Sequence, residues 1–357
     1  MASETPQESD MPEEAERTME DGAPGGRETL SAAPLVSQRD KTPVESEPPE
    51  RKSQTRPPPL TAIWQAFLAT FLLLAMQFAL GVVIALLALL VNYVFKSEEI
   101  ANALQAYATP VVTLAATWWL ALLILLFSRR PISNLWRRGE FHVSILPLVI
   151  LLILGTSILE SEIDNVTRHF FPMPEFIAEI MENVNITPFS GMLLLVFVAP
   201  FGEEVFFRGV IMNGFLKRYS PKTALIASSL IFALAHMNPY QFFSAFCAGL
   251  VTGTIYLKTR SLWPCIFAHG LNNFLVWAIM NDLHTLISLD IPGYTSGGYG
   301  DTASFHPWWF DILGVVITIA TIWALVVYFK KRSSDSEKEK KSGMTPPLNG
   351  KSDAYAE

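Results

Sequence analysis

Eight apolar runs, at about 62–95, 106–128, 143–160, 190–216, 222–237, 241–257, 262–281 and 308–329, occupy most of the chain between two polar ends. An α-helix rises 1.5 Å per residue, so about 20 residues cross the hydrocarbon core of a bilayer. Lipid offers no partner to backbone N–H and C=O groups, so a spanning segment must satisfy them internally. Continuous apolar runs do that as helices. The chain therefore reads as an all-α, polytopic membrane helix bundle of about eight transmembrane helices. Several runs are nearer 16 residues, which requires tilt, local thinning or burial inside the bundle.

The charges outside the runs alternate. Arg51, Lys52 and Arg56 precede the first; Arg129, Arg130, Arg137 and Arg138 separate the second from the third. Lys217, Arg218 and Lys222 follow the fourth, Lys258 and Arg260 the sixth, and Lys330, Lys331 and Arg332 the eighth. The intervening loops, such as Glu98-Glu99 and the segment from Glu160 to Glu182, are acidic or neutral. Basic loops stay on the cytoplasmic side, so both termini are expected there.

The formal charge of −7 is concentrated at one end: residues 1–58 hold thirteen acidic and seven basic side chains, a net −6. The acidity therefore says nothing about partners of the membrane part, and no basic patch argues for nucleic acid. With ten prolines through Pro59 and few large apolar residues, residues 1–58 cannot offset ordering entropy and are expected to be a disordered, cytoplasmic tail. They lack the layout of a cleaved signal peptide. The membrane domain is expected over 59–330, and a second charged, disordered tail over 331–357. Cys247 and Cys265 both lie in apolar runs, which argues against a disulfide scaffold or a cysteine-based zinc site. There is no internal repeat and no glycine-rich phosphate loop.

Three polar clusters interrupt the runs. In the fourth, Glu203-Glu204-x-x-x-Arg208 places two carboxylates and a guanidinium in apolar surroundings, at about 2.5 kcal/mol or more each on insertion scales. Residues four apart share a helical face, so Glu204 and Arg208 can pair and leave Glu203 free for another partner. The alternative is a purely structural ion pair. In the fifth run, Phe232 and His236 form Phe-x-x-x-His. Glu203 precedes Lys217 by fourteen residues and His236 follows Lys222 by fourteen, so both lie about 21 Å from the same boundary. In the seventh, His269 and Asn273 share a face with Asn272 nearby. His269 is only nine residues from Arg260, or roughly 14 Å, so its depth matches less well. The plainer reading is interhelical hydrogen bonding, worth about 0.6 kcal/mol on average.

Other features take a plain reading. Gly249-x-x-x-Gly253 is a packing face, and Trp118-Trp119 and Trp308-Trp309 are interfacial anchors. His142, His169, His284 and His306 are expected to be solvated, and Asp164 and Asp282 to be loop charges.

In order, and each in its own apolar run, Glu-Glu-x-x-x-Arg, Phe-x-x-x-His and His-x-x-x-Asn resemble the motifs of the CPBP family. That family comprises type II CAAX prenyl endopeptidases and bacterial relatives, including the Abi-type bacteriocin-immunity and lysostaphin-resistance proteins. The resemblance covers about 185–280. It implies an intramembrane endopeptidase in which Glu203 is the general base and His236 its partner in activating water. His269 and Asn273 would stabilise the oxyanion; Glu204, Arg208 and Phe232 would organise the site. A carboxylate in an apolar pocket suits a general base. Donors aimed at a developing oxyanion gain strength where water is scarce.

A zinc-dependent mechanism competes, since Glu203, His236 and His269 form a three-ligand set with an open fourth position. His-Glu-x-x-His is absent and the role of Asn273 fits carboxylate-activated water better, so no catalytic metal is the favoured reading. The expected partners are the lipid bilayer and a membrane protein or lipidated peptide as substrate. The expected location is a bacterial cytoplasmic membrane. A non-catalytic scaffold or immunity-type protein is the rival from another class. A proton-coupled transporter lacks the paired repeats that class uses.

Overall fold

The computed structural model describes residues 60–128, 141–175, 188–295 and 303–341. The tail expected over 1–58, and residues 342–357 of the second, lie outside the described residues. Eight long helices follow the order of the eight apolar runs. They are α1 (Ile63–Phe95), α2 (Glu98–Ser128), α3 (Leu146–Phe170), α4 (residues 188–215), α5 (Pro221–Ala235), α6 (Phe242–Thr259), α7 (Trp263–Met280) and α8 (Trp308–Lys341). Six of them, α1, α2, α3, α4, α6 and α8, are long and apolar enough to cross a membrane. The 15-residue α5 is shorter, and α7 carries His269, Asn272 and Asn273 in its middle. No strand occurs among the described residues.

Three helices outrun their sequence boundaries. α2 was expected from 106 and begins at Glu98, so Glu98 and Glu99 form its first turn and are not a loop. α3 was expected to end at 160 and continues to Phe170. Residues 161–170 contain neither Gly nor Pro, Asp164 and Arg168 pair at 3.0 Å one turn apart, and Pro172 lies just beyond the end. Asp164 is therefore a helical, paired carboxylate and not a loop charge. α8 continues past 330 to Lys341, through a stretch that also lacks Gly and Pro.

Burial separates an inner set of helices from an outer one. Only 11% of the apolar windows of α1 and α8 are buried, against 44% for α3. Phe71, Phe78, Leu89 and Tyr93 on α1, and Ile319 and Trp323 on α8, are exposed. Exposed apolar area this continuous is unsuited to water and suited to lipid. Small residues set the close approaches. Gly155 of α3 lies against Thr318 of α8, and Gly314 of α8 against Ile158 of α3. Gly249 and Gly253 of α6 face Ser229 and Leu225 of α5, as their spacing predicts. α5 opens on Ser220, whose hydroxyl accepts from Thr223 N–H at 3.2 Å, with Pro221 in the first turn.

Candidate active site

The three polar clusters converge where α4, α5, α6 and α7 meet. α4 is not a uniform α-helix. Two π stretches, Leu193–Val198 and Val205–Met212, flank a short α segment, Ala199–Glu204, that carries both glutamates. π-bulges recur at functional sites. Here one has a local cause. In the π register Ala199 N–H bonds Leu194 O, so the next donor in sequence, at position 200, would serve Leu195 O. Pro200 has no N–H. The open carbonyl is taken from outside: Asn273 on α7 donates its side-chain amide to Leu195 O at 2.8 Å. Gly270, one turn earlier on α7, makes this approach feasible, because a Cβ there would stand 2.8 Å from Val196 O.

Glu204 and Arg208 pair at 3.0 Å, as their spacing predicts. Both are almost fully buried. Arg208 donates to Gly249 O at 3.1 Å and makes a short hydrogen bond to Thr252 Oγ1, both on α6. Its guanidinium lies 4.7 Å from the Phe232 ring centroid. Gly249 is thus both a packing face and a ligand of the buried cation. Glu204 Oε1 also accepts from His269 Nδ1 at 2.9 Å. One carboxylate oxygen thus faces both a guanidinium and an imidazole, which sets the buried charges against one another away from water.

Phe232 is the common wall. Its ring meets His236 edge-on at 4.9 Å, His269 at 5.6 Å and Phe207 at 5.1 Å. His236 caps the C-terminus of α5, and its Nδ1 bonds Phe232 O at 2.9 Å. A carbonyl only accepts, so Nδ1 carries a proton, and in the neutral ring Nε2 is the nitrogen with the lone pair. The same logic puts a proton on His269 Nδ1, and its Nε2 lies 3.9 Å from Glu203 Oε2. The side chain of Glu203 is 32% exposed, whereas those of Glu204, Arg208 and His269 are 0%, 2% and 7% exposed.

One buried polar residue lies outside the three motifs, and its partner is Asn272, which the sequence offers only as a neighbour of Asn273. Glu160 of α3 is buried and accepts from Asn272 Nδ2 at 3.1 Å. Both line a small cavity with His269, Thr252 and Phe232. The apolar run stops at Glu160, so hydropathy alone places it at the start of an outer loop. The unbroken helix-compatible sequence to 170 was the signal that places it inside α3. The set considered as zinc ligands does not close: of Glu203, His236 and His269, only the first and last approach, at 3.9 Å.

Residues 185–275 match the family model of type II CAAX prenyl endopeptidase Rce1-like proteins. This segment is similar to the Rce1-like domains of the CPBP family, and it carries all three motifs. No curated protein and no solved structure was found to match the chain. With six helices long and apolar enough to cross a membrane among the described residues, and a segment similar to a family of membrane proteases, the chain is an integral membrane protein.

Proposed function

We propose that this protein is an intramembrane endopeptidase that hydrolyses a peptide bond of a membrane-anchored protein with water activated by Glu203 and His236. The reading rests on one contrast. Of the charged residues in the motifs, Glu203 alone keeps appreciable solvent access, while Glu204 and Arg208 are held by neighbours on α6 and α7. An accessible carboxylate beside fixed, buried partners is the arrangement a general base needs.

Glu203 takes a proton from water, and His236 Nε2 offers a second acceptor to orient that water. Attack on the scissile carbonyl builds negative charge on its oxygen. His269 Nε2 and the second N–H of the Asn273 amide are the donors for it. A ring donating at both nitrogens is cationic, and Glu204 is the anion set against it. The proton on Glu203 then passes to the leaving amine. The family's description makes a prenylated C-terminal peptide the first substrate to try, with the bond cut so as to release a tripeptide. Both termini are assigned to the cytoplasmic side on the alternation of basic loops.

The test is cleavage of a prenylated fluorogenic peptide, and of its unprenylated counterpart, by purified protein in lipid nanodiscs. Loss of cleavage in Glu203→Gln with an unchanged unfolding temperature supports the reading. Full biological function in Glu203→Gln or His236→Ala would instead assign the fold a scaffolding or immunity role.

A further inference from the structure

A second polar cluster lies away from the proposed active site, where the end of α3 meets the start of α8. His306 was expected to be solvated; its side chain is fully buried. The ring packs edge-on against Tyr294 at 5.7 Å and Phe310 at 5.4 Å. The chain folds back here through Gly293, whose φ of +73° suits glycine and whose carbonyl accepts from Asn165 at 3.0 Å.

The ring's orientation is held from one side: Nε2 bonds Ser161 Oγ at 3.1 Å. Nδ1 then faces two carboxylates, Asp311 Oδ1 at 2.9 Å and Glu162 Oε2 at 3.5 Å. Glu162 is itself fixed by Asn165 Nδ2 and by the His306 backbone N–H, both at 3.0 Å. The donor atoms of Glu162, His306 and Asp311 all lie within 4.8 Å of one another.

A nitrogen lone pair pointed at two carboxylate oxygens is repulsive, so something positive stands between them. That is either a proton or a cation. Three features favour a cation. The carboxylates outnumber the guanidinium on these two helix ends: Glu162, Asp164 and Asp311 stand against Arg168, which pairs with Asp164 at 3.0 Å and Asn165 Oδ1 at 2.9 Å. The site is closed behind the fully buried ring and open in front, where the side chains of Glu162 and Asp311 are 21% and 31% exposed. Each ligand is also held by an outer hydrogen bond or by the helix that bears it, as metal sites require. With bonds of about 2.0–2.2 Å to nitrogen and oxygen, tetrahedral ligand atoms stand about 3.3–3.6 Å apart. The 3.5 Å separation of His306 Nδ1 from Glu162 Oε2 already meets this, a rotation of Asp311 opens its 2.9 Å contact with the ring, and the two carboxylate oxygens lie within 4.8 Å of each other.

We propose that Glu162, His306 and Asp311 form a binding site for one divalent transition-metal cation of the zinc class, pinning the segment before α8 to the end of α3. An imidazole with two carboxylates selects such ions over calcium and magnesium, which take oxygen ligands. The site is independent of the proposed peptidase chemistry, and its test does not read activity.

Full-length protein in detergent, stripped with chelator, is titrated with zinc chloride and, separately, calcium chloride. Bound metal is counted after desalting, and the unfolding temperature is followed. One zinc per chain and a higher unfolding temperature in zinc are expected. Asp311→Asn keeps an acceptor for His306 Nδ1–H, so its chelated form unfolds like the chelated parent while zinc affinity falls at least about tenfold. Glu203→Gln binds zinc like the parent. X-ray absorption reports one imidazole and oxygen ligands. No retained zinc, equal retention by Asp311→Asn, loss of zinc in Glu203→Gln, or calcium binding as tightly as zinc would each overturn the proposal; the first would leave a proton between the side chains.

Discussion

The side-chain amide of Asn273 donates to the carbonyl oxygen of Leu195 at 2.8 Å, the carbonyl for which Pro200 has no N–H to offer. One hydrogen bond therefore joins a helix irregularity on α4 to the helix bearing His269. It also orients the Asn273 amide, whose second N–H is the donor proposed for a reacting oxygen.

This pairing predicts a specific non-additivity. Asn273→Ala strands the Leu195 carbonyl, at about 1–3 kcal/mol for an unsatisfied buried group. Pro200→Ala restores an N–H at the position that can serve it. In a double-mutant cycle of unfolding free energies in detergent, Pro200→Ala is expected to recover part of the Asn273→Ala loss. Strict additivity would disconnect the two residues.

The adjacent glutamates are expected to fail differently. Glu204→Gln removes the anion between Arg208 and His269, leaving a guanidinium that is 2% exposed without its counter-charge. Breaking such a buried pair costs about 3–5 kcal/mol, so the variant accumulates poorly or unfolds at a much lower temperature. Glu203→Gln touches a side chain that is 32% exposed. It is expected to fold normally and to lose about 10²–10⁴ in cleavage rate, the range for a general base. Unfolding curves and peptide cleavage measured on both variants separate the two roles.

Gly270→Ala places a methyl group 2.8 Å from the Val196 carbonyl. Overpacking of this kind costs about 1–3 kcal/mol, and the displaced α7 carries His269 and Asn273 with it. Lower stability and lower cleavage are expected together. The control is Gly81→Ala on α1, where nothing lies within 4 Å. There stability is expected to be unchanged or to rise by up to about 1 kcal/mol, from helix propensity. A neutral Gly270→Ala would remove the close approach from the account.

Phe232→Leu keeps the wall apolar but removes the ring beneath the guanidinium, 4.7 Å away. The cation–π contribution is about 0.5–2 kcal/mol, and His236 and His269 lose their shared edge-on surface. Stability is expected to fall by that amount and cleavage more steeply. Circular dichroism melts and rate measurements on the same preparation check this. Equal loss in Phe232→Leu and Phe232→Tyr would argue against the ring's part.

Much of the candidate site was legible in order and spacing. Glu204 and Arg208 are one helical turn apart, and the pair forms as that spacing requires. The eight apolar runs became eight helices in sequence order. What escaped were residues whose role depends on distant partners. Glu160 looked like the start of a loop because apolarity ends there. Asn272 was set aside as a neighbour of Asn273. The two meet at 3.1 Å across 112 positions. His306 looked like a loop histidine, and its carboxylate neighbours come from α3, more than 140 residues earlier, and from α8.

Local periodicity and hydropathy determined the helices, their order and which charges had to find partners, because backbone hydrogen bonding and transfer from water are properties of short segments. Only the tertiary structure decided that one oxygen of Glu204 holds both Arg208 and His269. The same is true of the carbonyl left open by Pro200, which α7 fills. Those choices depend on how closely two helices approach, and that distance is set jointly by small residues on both.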